Sequence, residues 1–188
     1  PLIMLGARQV GKTWLMQEFA REAYTNSVYV NFEDNEILRE LFIHDFDIPR
    51  IISAIQWNTG SSIDENTLII LDEIQEAPRG ITALKYFAEK APQYHVVAAG
   101  SLLGIAMHRK DSFPVGKVDF MRLHPLSFFE FLDAVGESRM VNLLRTKDWN
   151  MITAFRTKFE ERLRQYYLGG GMPAVVSAFV GDGNPEKV

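Results

Sequence analysis

Gly6-Ala-Arg-Gln-Val-Gly-Lys-Thr13 restricts the fold more than any other stretch of the 188 residues. Two glycines enclosing four residues, followed by Lys-Thr, make a loop whose backbone N–H groups converge on one anion. Glycine is required there wherever a Cβ would clash or φ is positive. The apolar run Leu2–Leu5 precedes the loop, and helical periodicity follows over residues 12–24, with Leu15, Phe19 and Ala23 on one face. A strand, a glycine loop and a helix in that order aim the loop amides and the positive helix end at a phosphate. Chance would produce the pattern in roughly one chain in 150 of this length. Gly6, Ala7, Arg8, Gln9, Val10, Gly11, Lys12 and Thr13 are therefore the candidate phosphate cradle. Lys12 would reach the β- and γ-phosphates of a nucleotide, and the Thr13 hydroxyl would ligate Mg2+.

The remaining first half alternates short apolar runs with helical periodicity. Residues 27–32 read as a strand, and residues 49–57 as a helix capped by Asp47, with Ile51, Ile52 and Ile55 inward. Residues 60–66 form a loop. The run Leu68-Ile-Ile-Leu71, ending in Asp72-Glu73, suits a central parallel strand buried on both faces. A helix over about 80–91 leads to the strand 96–99, and residues 118–123 supply one more. Such alternation predicts a parallel sheet between helical layers.

A carboxylate at the C-terminal edge of a parallel strand points into the ligand crevice. Asp72 is thereby the candidate Mg2+ holder and Glu73 the candidate general base for an attacking water. Ser101, just past the 96–99 strand, either touches the γ-phosphate or caps the next helix. Arg79, Arg109, Arg122 and Lys117 are available cations, none assigned to catalysis. His44, His95, His108 and His124 lack metal-ligand spacing.

Beyond residue 123 the pattern is helical. Ser127 and Glu130 have capping-box spacing, and Gly136 ends that helix. Ile152, Phe155, Phe159, Leu163 and Tyr166 predict one amphipathic helix, with Glu160 and Arg164 paired on its outside. Gly169-Gly-Gly171 terminates it, and another helix occupies about 174–180. The expected organisation is a three-layer α/β P-loop core over 1–123 and a helical extension over 124–188.

Composition narrows the function class. The absence of cysteine excludes thiolate metal sites, iron–sulfur clusters and cysteine nucleophiles, and fits a reducing, cytoplasmic setting. The net charge of −4 is not that of a dedicated nucleic-acid binder, although residues 108–170 carry a basic excess. No apolar run approaches the ~20 residues of a membrane span. A start at Pro1 and a polar end predict a piece of a longer protein.

In this order, the glycine loop, Asp72-Glu-Ile-Gln75, Ala99-Gly-Ser101, Leu123-His-Pro-Leu-Ser-Phe-Phe-Glu-Phe-Leu132 and Gly170-Gly-Met-Pro173 resemble a known family over nearly the whole chain. The likeness is to the AAA-type ATPase domain of bacterial and archaeal proteins that carry a C-terminal domain of unknown function. It implies a P-loop core with a parallel sheet of the ASCE/AAA type, and ATP and Mg2+ as ligands. It also implies Lys12, Thr13, Asp72 and Glu73 as site residues, and a C-terminal domain as partner. Many relatives carry an arginine before the last strand. This chain has Pro114-Val-Gly-Lys117, so no arginine finger is assigned.

Mg-dependent ATP hydrolysis coupled to the attached domain is the leading reading. A slow or non-hydrolysing nucleotide switch, a small-molecule kinase and a DNA-associated motor or loader are the rivals. Single-turnover kinetics, phosphate on a non-water acceptor, and salt-sensitive DNA stimulation would respectively reveal them. A protein client and oligomerisation are compatible with each.

Overall fold

The computed structural model describes residues 1–100 and 116–182. Two compact units are present, Pro1–Leu123 and His124–Val188.

The first unit is built on five parallel strands, β1 (Leu2–Leu5), β2 (Asn26–Asn31), β3 (Thr67–Asp72), β4 (His95–Ala99) and β5 (Asp119–Arg122), in the order β2-β3-β4-β1-β5. β4 thus separates the glycine-loop strand β1 from the carboxylate strand β3. The connections carry α1 (Lys12–Ala23), α2 (Glu36–Arg39), α3 (Ile48–Thr59) and α4 (Gly80–Lys90). From β1 to β2 the chain crosses the sheet in one direction, and from β2 through β4 it returns. Right-handed crossovers then place α1 on one face and α3 and α4 on the other.

Strand alternation matches these layers. Ile3, Leu5, Val28, Val30, Ile69, Leu71, Val96 and Ala98 face the α3/α4 layer together with Ile51, Ile55, Leu84 and Phe87. Met4, Leu68, Ile70, Val97 and Ala99 face α1, where Met16 and Ala20 meet them. All six residues of β3 are buried, as a strand covered on both sides must be. Its Thr67 hydroxyl donates to Asp64 Oδ1 at 2.7 Å and accepts the Asp64 N–H at 3.1 Å, so no polar group is orphaned there.

The predicted inward stripe of α1 is displaced. Lys12, Met16 and Ala20 form the buried row, whereas Phe19 is half exposed and Ala23 exposed. Leu15 and Phe19 instead border an apolar groove of about 580 Å³ with Tyr94 and Met121. The glycine loop sets this rotation, because the helix begins with Lys12 turned into the loop. Asp47 caps α3 as predicted, accepting the Arg50 N–H at 3.2 Å. The short α2 and the 3-10 turn Glu40–Phe42 bury Leu38, Leu41 and Phe42. Neither was apparent from periodicity, since each is about one turn long.

The second unit contains α5 (Phe128–Ala134), α6 (Ser138–Thr146), α7 (Trp149–Ala154), α8 (Arg156–Gly169) and α9 (Pro173–Asp182). Its core gathers Phe131, Leu132, Met140, Val141, Phe159 and Val176. Both hydrogen bonds of the Ser127–Glu130 capping box form. One expectation fails. The single helix through Phe155 is two helices, because Phe155 leaves helical geometry (φ −101°, ψ 21°). One residue outside helical dihedrals scarcely alters the apolar spacing. Glu160 bonds Arg156 at 2.5 Å, in the first turn of α8, and the expected attraction from Arg164 acts on the same carboxylate as a weaker charge interaction.

Candidate functional site

The site is assembled at the C-terminal edge of the sheet in the first unit. β1 ends at Leu5, and Gly6 follows under a close backbone contact: a Cβ there would lie 2.5 Å from the Leu123 carbonyl oxygen. That carbonyl is held in place by the Leu123 N–H, which donates to Leu5 O at 2.8 Å. Gln9 (φ 64°) and Gly11 (φ 93°) occupy the left-handed region on either side of Val10, whose φ is not positive. Val10 is buried beneath the loop, while Ala7, Arg8 and Gln9 line its exposed rim.

Lys12 opens α1 and is 7% exposed. Its Nζ donates to Gly6 O at 3.0 Å and Ala7 O at 2.7 Å, which places the ammonium inside the loop. Burial pulls the ammonium below its ordinary 10.5, against the opposing charges of Glu73 and Asp72. Thr13, next on α1, donates its hydroxyl to Asp72 Oδ2 at 2.5 Å.

Period-2 alternation puts Asp72 on the face of Leu68 and Ile70, which is the α1 face. The carboxylate is 4% exposed and accepts three hydrogen bonds from the described residues. Besides Thr13, Tyr29 O–H donates to Oδ2 at 3.0 Å and the Glu73 N–H to Oδ1 at 3.0 Å. Burial first, then the adjacent Asp72 charge, push the Tyr29 phenol well above its ordinary 10. It therefore remains a donor at neutral pH.

Glu73 adopts φ 48°, ψ 45°, a left-handed conformation uncommon for a non-glycine residue. It turns the chain out of β3 into the 3-10 turn Ile74–Glu76. Gln75 Nε2 donates to Glu73 Oε2 at 2.5 Å, while Gln75 Oε1 is buried without a hydrogen-bond partner among the described residues.

The cradle, Lys12, Thr13, Asp72 and Glu73 are therefore brought together by β1, α1 and β3. Ser101 lies outside the described residues, as do Arg109 and His108. Arg79 is engaged elsewhere: Nη1 donates to Ile43 O at 2.6 Å, and the guanidinium lies 4.2 Å from the Phe46 ring centroid. Lys117 pairs with Glu89 at 3.4 Å. Tyr29 was missed by sequence reasoning. Its one available signal is an aromatic hydroxyl between two inward valines on the strand beside the carboxylate strand.

The residues fit Mg2+ and a phosphate chain. Thr13 and Asp72 offer the hard oxygen donors that Mg2+ prefers alongside phosphate oxygens. Next to them, the position of a Gly11 Cβ has no neighbour within 4 Å, leaving room beside the loop amides. Among the described residues, no cluster of three or more His, Cys, Asp or Glu forms an all-protein metal cage. Among them too, no helix is long and apolar enough to cross a membrane.

Comparison with solved structures finds PCH-2 from C. elegans at 16% identity and TM-score 0.42, covering 77% of this chain and 40% of that one. The Aeropyrum pernix ORC1 protein, solved in complex with DNA, is similar at 14% identity and TM-score 0.46, covering 70% and 41%. Cdc6p from Pyrobaculum aerophilum shows 16% identity and TM-score 0.42, covering 73% and 42%. The chain thus spans about two fifths of the length of each. No curated protein matches. A family model described as AAA domain matches residues 1–132. With most of the sequence inside that match, the chain belongs to the AAA domain family and is an AAA-type ATPase domain.

Proposed function

We propose that this chain binds ATP with Mg2+ at the Gly6–Thr13 loop and hydrolyses it to ADP and phosphate. The observation that carries the reading is the junction of loop and strand. Thr13 meets Asp72 at 2.5 Å, with the buried Lys12 ammonium one residue away.

The loop amides and Lys12 bind the phosphates, with Lys12 exchanging its two carbonyl partners for phosphate oxygens. Thr13 and Asp72 hold Mg2+, which neutralises phosphate charge. Glu73 orients a water and takes its proton as the water oxygen bonds the γ-phosphorus. The bridging oxygen departs with ADP. Residues 1–123 act as the ATPase core and 124–188 as a helical extension, and turnover drives or gates an attached domain. With Arg79 committed to Ile43 and Phe46, the chain alone lacks that cation for the transition state. An arginine finger supplies 10³–10⁵ in rate, so turnover is slow unless another cation takes that part.

Calorimetric titration of Mg-ATP and Mg-GTP into the wild type and Lys12→Ala tests binding. Saturable ATP binding, abolished in the variant, is the expected result. Silence from the wild type, repeated on the full-length chain, would overturn the reading. Glu73→Gln should retain binding while turnover falls about 10²- to 10⁴-fold.

A further inference from the structure

We propose that Tyr29 is a positioning residue for the metal-holding carboxylate: its hydroxyl fixes Asp72 and thereby sets the Mg2+ affinity of the nucleotide complex. The inference rests on the Mg-ATP reading of the site.

A carboxylate buried as deeply as Asp72 requires donors on both oxygens. On Oδ1 the donor is the Glu73 peptide N–H, held by the backbone. On Oδ2 there are two among the described residues, the hydroxyls of Thr13 and Tyr29. Thr13 turns its oxygen to the metal when the site is loaded. Tyr29 is then the Oδ2 donor that stays, and together with the peptide N–H it prevents the carboxylate from rotating.

The fold places Tyr29 for this task. β2 and β3 pair in parallel with Tyr29 opposite Ile70 and Asn31 opposite Asp72. Asn31, the direct neighbour, is occupied locally: its amide donates to Asp34 at 2.8 Å, and its oxygen accepts the Glu33 N–H at 2.9 Å. Tyr29, one pleat back on the α1 face, is long enough to reach Asp72 where a shorter side chain is not. Its neighbours Val28 and Val30 are buried on the opposite face, while Tyr29 itself is 38% exposed. The ring therefore contributes little to the core, and the hydroxyl is its distinctive contact.

Hydrogen-bond partners behind a metal ligand typically govern affinity by 10–100-fold. The test follows ATP binding to the wild type and Tyr29→Phe by calorimetry across a Mg2+ series. The expected outcome is a half-saturating Mg2+ concentration about tenfold or more higher in the variant. At saturating Mg2+ the two proteins should bind ATP equally. Superimposable Mg2+ curves would overturn the inference while leaving the Mg-ATP reading intact. An affinity deficit that persists at saturating Mg2+ would also overturn it, by assigning Tyr29 to the fold of the site. Absence of ATP binding by the wild type at every Mg2+ concentration would overturn both.

Discussion

At the scale of single residues, the site depends on backbone conformations that few side chains tolerate. Gly6 is the sharpest case, with a positive φ of 156° and a backbone oxygen where its Cβ would sit. The contact cannot be relieved by rotating a side chain, because the oxygen belongs to Leu123 on the strand edge. Gly6→Ala is expected to destabilise by about 1–3 kcal/mol, read as a lower urea midpoint, and to weaken ATP binding as well. An unchanged midpoint would count against the close approach. Gln9 and Glu73 lie in the left-handed region without being glycine, which the sequence pattern does not reveal. The motif's composition marked where the candidate phosphate cradle lies. The conformations that build it come from the loop being tied between β1, α1 and Leu123.

Among elements, end chemistry was far more legible than side-chain pairing. Ser127 and Glu130 form their capping box because both partners lie within one turn, where chain connectivity leaves little choice. Ser127→Ala should cost about 1 kcal/mol in thermal stability. The ion pairs of α8 are less local. Glu137, at the start of α6, receives Lys158 at 2.6 Å and Arg162 at 2.8 Å, contacts that no periodicity within α8 predicts. Hydrogen bonds from Lys158, then Arg162, hold the Glu137 carboxyl below its ordinary 4.5. Because the folded state favours the charged form, the contribution is complete above the unfolded value. It is lost as pH falls through the lower folded value. Between about pH 5 and pH 3, the stability gap between wild type and Glu137→Gln should close by about 1 kcal/mol. Chemical denaturation at several pH values measures it, and a constant gap would refute the assignment.

For the whole molecule, the parallel sheet is the organising object of the first unit. β3 lies between β2 and β4 and is covered on both faces, so its residues sense the entire unit. Ile69 is fully buried. Ile69→Ala should cost about 2–5 kcal/mol and lower amide-exchange protection along β2, β3 and β4 together. Leu132, fully buried in the second unit's own core, should behave likewise within α5 and its neighbours.

The sequence by itself determined the element order of the first unit, the parallel sheet between helices and the glycine loop with its Asp72-Glu73 counterpart. Those signals are local: apolar runs of strand length, capping residues and fixed motif spacing act within a few residues of one another. Tertiary structure alone decided which face of α1 is buried and where the 152–166 periodicity breaks. It also brought Tyr29 to Asp72, residues 43 positions apart in the chain. Such contacts depend on strand register and on how a helix is rotated against its sheet. Both are settled by the packing of many side chains together, and no single stretch of sequence encodes them.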